Sequence, residues 1–478
     1  MRTLQERAQR IHFIGIGGSG LSAIARLLLE SGYTVSGSDR TLSPLAQDLA
    51  AAGARVFAGH QAENIQGADM VVRSSAIPDS NIEVQAALAA GIPVLKRAQF
   101  LGRLMENHLA IAVAGTHGKT TITAMISWLL VRLGQDPSYI IGGTAKNLDG
   151  RNAHAGKGRA FVIEADEYDR MFLGLYPDLI VVSSVEHDHP DCFPTPQDYT
   201  AAFAAFVHQL RTGGILLAAH DNSAAALLAP AIPAETRAFS YGTSPDASFT
   251  AAAPVLNQHG GYDFEVWAPN ADGQKMLLTR VSLQVPGEHN MRNGLAALAA
   301  IYLAGFGSSG LIQQAAQALN EFVGTGRRFD ILGTINGITV IDDYAHNPAK
   351  IQATLSAARA RYPGQRIWAV WQPHTFSRTL AFLDDFTRSF AAADRVLVTE
   401  IYAAREKASD FDNFSAAQVV KQIDHPAAQF TPSLQETSSF LLSQLQPGDV
   451  VLVLSAGDAD QVSAGVLSAL KERSKTHA

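Results

Sequence analysis

The run Ala114-Gly115-Thr116-His117-Gly118-Lys119-Thr120-Thr121 carries the side chains that a nucleoside triphosphate needs. Its glycines let backbone amides approach phosphate oxygens. The run sits between an apolar strand pattern, Leu109 to Ala114, and an apolar helix pattern, Ile122 to Leu133, so its amides and the helix N-terminus converge on an anion. Lys119 can reach the outer phosphates, and the Thr120 hydroxyl can ligate Mg2+. The usual loop G-x-x-x-x-G-K-[ST] begins with a glycine where this chain has Val113, so the loop is a shorter variant.

A second glycine run, Gly15-Ile16-Gly17-Gly18-Ser19-Gly20, also lies between a strand and a helix pattern, with Asp39 beyond it. The spacing G-x-G-x-x-G with a downstream acid fits a dinucleotide site, and alone it favours an NAD-dependent dehydrogenase. The same turn holds any pyrophosphate, and a dehydrogenase has no use for a separate triphosphate loop. Acidic and histidine residues form a third group, Glu164-Ala165-Asp166-Glu167 and Glu186-His187-Asp188-His189-Pro190-Asp191. Each follows a strand pattern, which in a parallel sheet puts it on the ligand side, where carboxylates suit Mg2+. A zinc hydrolase is an open alternative at this point, although the helical H-E-x-x-H spacing is missing.

Further along, His289, Asn290 and Asn293 open a helix pattern running from Met291 to Gly305. An amide side chain there could pair with an adenine edge or simply cap the helix. Three clusters follow: Gly326-Arg327-Arg328-Phe329, Asp342-Asp343-Tyr344-Ala345-His346-Asn347-Pro348, and Gln372-Pro373-His374-Thr375-Phe376-Ser377-Arg378-Thr379. Their arginines could neutralise a phosphate or clamp a carboxylate.

Three segments must position these groups. The first, about Ile11 to Asn107, and the third, from about Arg327, alternate strand and helix patterns, as parallel α/β sheets do. The middle one, Leu109 to about Val323, adds a β-rich stretch over about Ser248 to Val285. The polar tail after Leu470 is expected to fray.

The chain has 478 residues, 47% hydrophobic and 17% charged, which fits about three ordinary domains. Its net charge of −7 argues against a general nucleic-acid binder. The single cysteine, Cys192, rules out an internal disulfide and fits a reducing compartment. The longest apolar run, about Leu295 to Phe306, falls short of the roughly twenty residues a membrane span requires. Met1 to Gln9 is polar, unlike an export signal. A cytoplasmic protein with no membrane or nucleic-acid partner is expected.

In order and type, these motifs resemble the Mur ligases, the ATP-dependent amino-acid ligases of peptidoglycan synthesis. The resemblance runs from Ile14-Gly15-Ile16-Gly17-Gly18 to Ser455-Ala456-Gly457-Asp458. Ser36-Gly37-Ser38-Asp39, Ser74-Ser75-Ala76-Ile77, Glu164-Ala165-Asp166-Glu167 and Tyr402-Ala403-Ala404-Arg405-Glu406 resemble the alanine-adding branch. That implies three α/β domains: a Rossmann-like UDP-sugar domain over 1–107, a central P-loop ATPase domain with a parallel sheet over 108–323, and a Rossmann-like amino-acid domain over 324–478. It also implies UDP-N-acetylmuramate and L-alanine as substrates, with ATP and Mg2+, in a monomer or homodimer.

By the same resemblance, Gly17, Gly18, Ser19, Asp39, Ser74 and Ser75 would hold the UDP-sugar. Gly115 to Thr121, with Lys119, would hold the β- and γ-phosphates, and Thr120, Glu164 and His189 the metal. Asn293, with His289 and Asn290, would face adenine, Asp343 the ribose, and Arg328 the phosphates. Tyr344, His346, His374 and Arg378 would receive the amino acid. The chain departs from the family at three points. Ser183-Ser184 stands where members often carry Thr-Asn, and His346-Asn347-Pro348 replaces His-His-Pro. Ala204 stands where several members have a carbamylated lysine. A recycling ligase that adds a tripeptide to the same nucleotide sugar remains the near alternative.

Overall fold

The computed structural model describes residues 9–476 except Asp191, Ala271 and Arg405, together with all side chains in that span but those of Ser19 and Thr476. The expectations for Asp191, Arg405, the Ser19 side chain and the opening eight residues therefore lie outside the described residues. The described residues form three sheets, one for each segment read from the sequence. By internal contacts the chain divides into two compact units. One comprises Met1–Ala253, Phe264–Val281 and Arg292–Phe322; the other comprises Pro254–Asp263, Ser282–Met291 and Val323–Ala478.

The first sheet has five parallel strands in the spatial order Arg55–Ala58, Thr34–Asp39, Arg10–Ile14, Met70–Arg73, Val94–Lys96. Strand order reverses at the central strand, so a crevice opens beyond its C-terminal end, where the turn from Gly15 begins. In the ten-stranded second sheet, Leu109–Ala114 is flanked by Leu179–Val182 and Ala160–Glu164, both parallel to it. These buried runs of Val, Ile, Leu and Ala are what a sheet covered on both faces requires. The third sheet orders Asp330–Ile335, Ile338–Asp343, Val450–Leu454, Ile367–Trp371, Arg395–Val398 and Ala428–Phe430; only its first pair is antiparallel. Trp371 anchors one face of this sheet, with its ring 4.8 Å from Phe386 and 5.3 Å from Phe390.

Two expectations need correction. The helix expected over Met291 to Gly305 runs from Glu288 to Ile301 and gives way to a π-helical turn, Tyr302–Phe306. Gly305 takes φ +88° there, a conformation that a glycine adopts without a Cβ clash. As far as the described residues reach, the segment after Leu470 is helical: Asp460–Thr476 is one helix. Val462, Val466 and Leu470 bury one face of it, and Arg473 donates to the Leu442 carbonyl at 2.9 Å. Among the described residues no helix is long and apolar enough to cross a membrane.

The first sheet also covers a carboxylate. Glu83 is fully buried. One oxygen accepts from Ser38 Oγ at 2.5 Å and lies 3.3 Å from His60 Nδ1 and 3.7 Å from His12 Nε2; the other accepts from Asn64 Nδ2 at 2.6 Å. Burial pushes its pKa up, but His12, Ser38 and Asn64 outweigh that and hold it at about 2, against 4.5 in an open chain. The unfolded chain therefore takes up this proton first as pH falls. The stabilisation from Glu83 should be complete above about pH 4.5 and lost progressively towards pH 2. Urea unfolding over that range should show a loss that is smaller in Glu83→Gln; an identical slope in both proteins would contradict this.

Candidate active site

The triphosphate loop needs two of its glycines. Gly115 has φ +136°, and a Cβ there would lie 2.1 Å from Ser183 Oγ. Gly118 has φ +80° and caps the helix Lys119–Arg132; a Cβ there would lie 2.7 Å from Asn293 Oδ1. The segment after the neighbouring strand pins the loop. Thr116 N–H donates to Ser184 O at 2.9 Å and His117 N–H to Ser184 Oγ at 3.1 Å. The Ser183 hydroxyl donates to the His117 carbonyl, and Thr116 Oγ1 to the Glu186 carbonyl at 2.8 Å. Ser183 and Ser184, the departure from the family pattern, thus act on the loop backbone.

Lys119 points back into the loop. Its Nζ donates to Gly115 O at 2.6 Å and lies 3.0 and 2.8 Å from the two oxygens of Glu167. Burial pulls the lysine pKa down, but Glu167, Glu164 and Asp166 more than offset it and leave it raised. Burial likewise pushes Glu167 up, and Lys119 brings it net below the usual carboxylate range. Tyr199 Oη donates to Glu167 at 3.1 Å and lies 3.0 Å from Thr116 Oγ1. Burial, then Glu167, raises the phenol pKa. His189 Nε2 is 3.7 Å from Glu167.

Thr120 Oγ1 donates to Glu164 Oε1 at 3.1 Å, and Glu164 Oε2 accepts from Gly142 N–H at 2.7 Å. A hydroxyl beside a carboxylate is a hard-oxygen pair of the kind Mg2+ takes together with nucleotide phosphates and water. Among the described residues no group of three or more His, Cys, Asp or Glu side chains forms a metal cage. These donors suit a metal that arrives with a nucleotide.

At the first sheet the glycine turn is held from its neighbour strand. Gly15 and Ile16 N–H both donate to Ser38 O, at 2.8 and 3.1 Å, and Gly17 N–H to Asp39 Oδ2 at 2.8 Å. One Asp39 oxygen therefore shapes the turn itself. Gly18 caps the helix Ser19–Glu30. Ser74 follows the strand Met70–Arg73, and Ser75 Oγ donates to Met171 Sδ at 3.8 Å.

The other unit gathers a second set. The His346 and His374 rings are 6.0 Å apart, His374 stacks on Tyr402 at 5.6 Å, and Arg378 Nη1 lies 3.3 Å from His374 Nδ1. Tyr344 packs edge-on against His346 at 5.2 Å, and the Arg328 guanidinium lies over the Tyr344 ring at 4.8 Å. Asp343 is buried and accepts from Phe329 N–H at 2.6 Å. Burial pushes its acid up, as it does Asp342, which is carried to about 6 against the pull of Arg327. Asn290 Nδ2 donates to Pro286 O at 2.7 Å, which makes it a brace at the start of its helix, and the His289 imidazole lies against Gly287. Left-handed φ values at His189, Arg327, Phe329 and Thr375 fall at or beside these residues, and backbone strain of this kind concentrates at functional sites.

The sequence reading left out Glu167 as the partner of Lys119, Tyr199 as its support, and Glu406. The last accepts from Phe376 and Ser377 N–H and so fixes the turn that carries Arg378. Glu167 and Glu406 each lie in a noted motif, but nothing local pairs them with Lys119 or with the Phe376 turn; Tyr199 carries no local signal.

A phosphate loop at the end of a strand with parallel neighbours on both sides, and a hydroxyl–carboxylate pair beside it, define a P-loop nucleotide-binding enzyme. The chain matches, in order, "Mur ligase family, catalytic domain" over residues 10–109, "Mur ligase middle domain" over 113–301, and "Mur ligase, glutamate ligase domain" over 327–457. It belongs to the Mur ligase family and has that family's three-domain α/β fold. It is 40% identical to a UDP-N-acetylmuramate–L-alanine ligase of Roseiflexus castenholzii, over 96% of this chain and 97% of the relative. It is 41% identical to one of Acidithiobacillus ferrooxidans, over 95% and 97%. The crystal structure of the UDP-N-acetylmuramate–alanine ligase of Thermotoga maritima superposes with a TM-score of 0.79 at 26% identity, covering 97% of this chain and 99% of that one.

Lys119→Ala should leave Glu167 buried without its cation, a loss of about 3–5 kcal/mol for a broken buried pair. Adding Glu167→Gln should recover much of the stability but not nucleotide affinity. Urea unfolding and Mg-ATP calorimetry on the single and double variants would check this; additive stability losses would contradict the pairing.

Proposed function

We propose that this chain is a cytoplasmic ATP-dependent ligase that joins L-alanine to the lactyl carboxylate of UDP-N-acetylmuramate in peptidoglycan synthesis. The observation that carries this reading is identity of about 40% over nearly the whole length to relatives of that name, with the loop residues Gly115 to Thr121 in place. Within it, residues 1–107 take the UDP-sugar, 108–323 the ATP, and 324–478 the amino acid.

A carboxylate is a poor acyl donor, so one of its oxygens attacks the γ-phosphorus of ATP. An acyl phosphate forms and ADP leaves. The alanine amine then adds to the acyl carbon, and the tetrahedral intermediate expels inorganic phosphate while the amine loses its proton. The protein contributes position and charge neutralisation. The amides of Gly115 to Thr121 and the Lys119 ammonium hold the β- and γ-phosphates, with Arg328 as a further cation. Mg2+ held by Thr120, Glu164 and His189 would supply charge neutralisation on the phosphate oxygens. Asn293, with His289 and Asn290 close by, takes the adenine and Asp343 the ribose. Gly17, Gly18, Ser19, Asp39, Ser74 and Ser75 take the nucleotide sugar. Tyr344, His346 and His374 frame the amino acid, and Arg378 pairs with its carboxylate.

Mass spectrometry of the product from UDP-N-acetylmuramate, Mg-ATP and L-alanine or a tripeptide, offered separately, tests the reading. Addition of one alanine is expected; product only with the tripeptide would assign a recycling ligase. Arg378→Ala should raise the KM for L-alanine by roughly 30-fold or more, with those for ATP and the nucleotide sugar little changed. Steady-state kinetics varying each substrate in turn would check it, and an unchanged alanine KM would remove Arg378 from the site.

A further inference from the structure

Arg97 is the first residue of the helix Arg97–Leu104 and belongs to none of the phosphate, metal or amino-acid groups. Its Nε is buried and, among the described residues, has no hydrogen-bond partner. Its ion-pair partner, Asp166, stops at 3.7 Å. Other arginines of this chain close such pairs fully: Arg366 meets Asp449 at 2.6 Å and Arg211 meets Asp178 at 2.9 Å. Burial lowers the Arg97 pKa, while Asp166 and Glu164 act to raise it. A guanidinium with five donors, largely withdrawn from water and poorly paired, is costly unless an anion completes it.

Its position is built in two ways. On one side, the guanidinium lies against the Cα of Gly20, in the first turn of the helix that follows the glycine turn. A Cβ on Gly20 would meet Arg97 Nη1 at 1.8 Å and Cζ at 2.6 Å, so the glycine makes room for this side chain. On the other side, its own helix packs backbone to backbone on the Met171–Gly174 stretch. A Cβ on Gly102 would lie 2.2 Å from Gly174 O, and one on Gly174 would lie 2.5 Å from Ala98 O. That contact leaves the start of the helix little freedom to move. Arg97 thus stands between the N-terminus of the helix Ser19–Glu30 and Asp166, two residues beyond Glu164.

From this geometry we infer that Arg97 binds the diphosphate of the nucleotide sugar, as a planar fork beside the backbone amides of the glycine turn. The inference rests on the ligase reading above, because it takes the anion at the first sheet to be a uridine diphosphate. A fork of parallel N–H donors matches phosphate oxygens, and the amides at the helix N-terminus supply donors to the same group. Gly20 is the steric condition for this arrangement.

Calorimetry with UDP alone, which has the diphosphate but no lactyl carboxylate, tests it. Arg97→Met should weaken UDP binding by about 10- to 100-fold, the range for a lost hydrogen-bonded charge, and Arg97→Lys should recover part of it. Gly20→Ala keeps the charge but puts a methyl group where the guanidinium lies. It should also weaken UDP binding, with an unchanged melting temperature and unchanged Mg-ATP affinity. UDP affinity within about threefold of wild type in either Arg97→Met or Gly20→Ala would overturn the inference, and the glycine variant decides if the arginine variant fails to fold. Loss of affinity for UDP-N-acetylmuramate but not for UDP would overturn it in favour of the lactyl carboxylate. A wild-type protein that binds no UDP would instead overturn the ligase reading.

Discussion

Lys119 keeps its ammonium inside the protein because Glu167 is there to meet it. Removing a lysine charge from water is costly, and the cost is offset only if a carboxylate and further acceptors complete the shell. Here Glu167 supplies both oxygens and the Gly115 carbonyl supplies the rest. Glu167 in turn needs Tyr199, which also reaches Thr116 in the loop. One buried ion pair therefore ties together a loop, the end of a strand and the helix Pro196–Val207. The lysine is left poised at the mouth of the loop and cannot wander as a surface side chain would.

The sheets serve that pair. Strand Leu109–Ala114 lies between the strands that deliver Glu164 and Ser183, so both flanks of the loop are set by parallel pairing. A one-residue slip in either strand would turn Glu164 or Ser183 to the opposite face. The first sheet repeats the principle with other parts. A strand ends in glycines, and the neighbouring strand supplies the Ser38 carbonyl and the Asp39 carboxylate that hold the turn. Behind Ser38 stands Glu83 with two histidines, which explains why a carboxylate is tolerated beneath this turn.

The parts written locally in the sequence were readable. Gly115 to Thr121 carries its own context, an apolar strand before and an apolar helix after, so Lys119, Thr120 and Glu164 could be named without coordinates. The clustering of His346, His374 and Arg378 follows from strand ends in one parallel sheet. What stayed hidden depends on distance along the chain. Tyr199 lies 32 residues from Glu167, and Glu406 lies 30 residues from the amide it anchors. No periodicity links them. Strands such as Ser138–Ile140 and Ala428–Phe430 are three residues long, too short to show alternation. The stretch Lys471 to Thr476 has no apolar residue of its own; the residues that bury one face of its helix, Val462, Val466 and Leu470, recur at helical spacing ahead of it.

The chemistry assigned to this framework is transfer of the γ-phosphoryl group of ATP to a carboxylate, followed by displacement of phosphate by an amine. The most direct measurement uses UDP-N-acetylmuramate labelled with oxygen-18 in both lactyl carboxylate oxygens. During ligation with L-alanine and Mg-ATP, one labelled oxygen should leave with each inorganic phosphate released, and the other should remain in the new amide. Label appearing in AMP, or unlabelled phosphate alongside ligated product, would contradict phosphoryl transfer to the carboxylate.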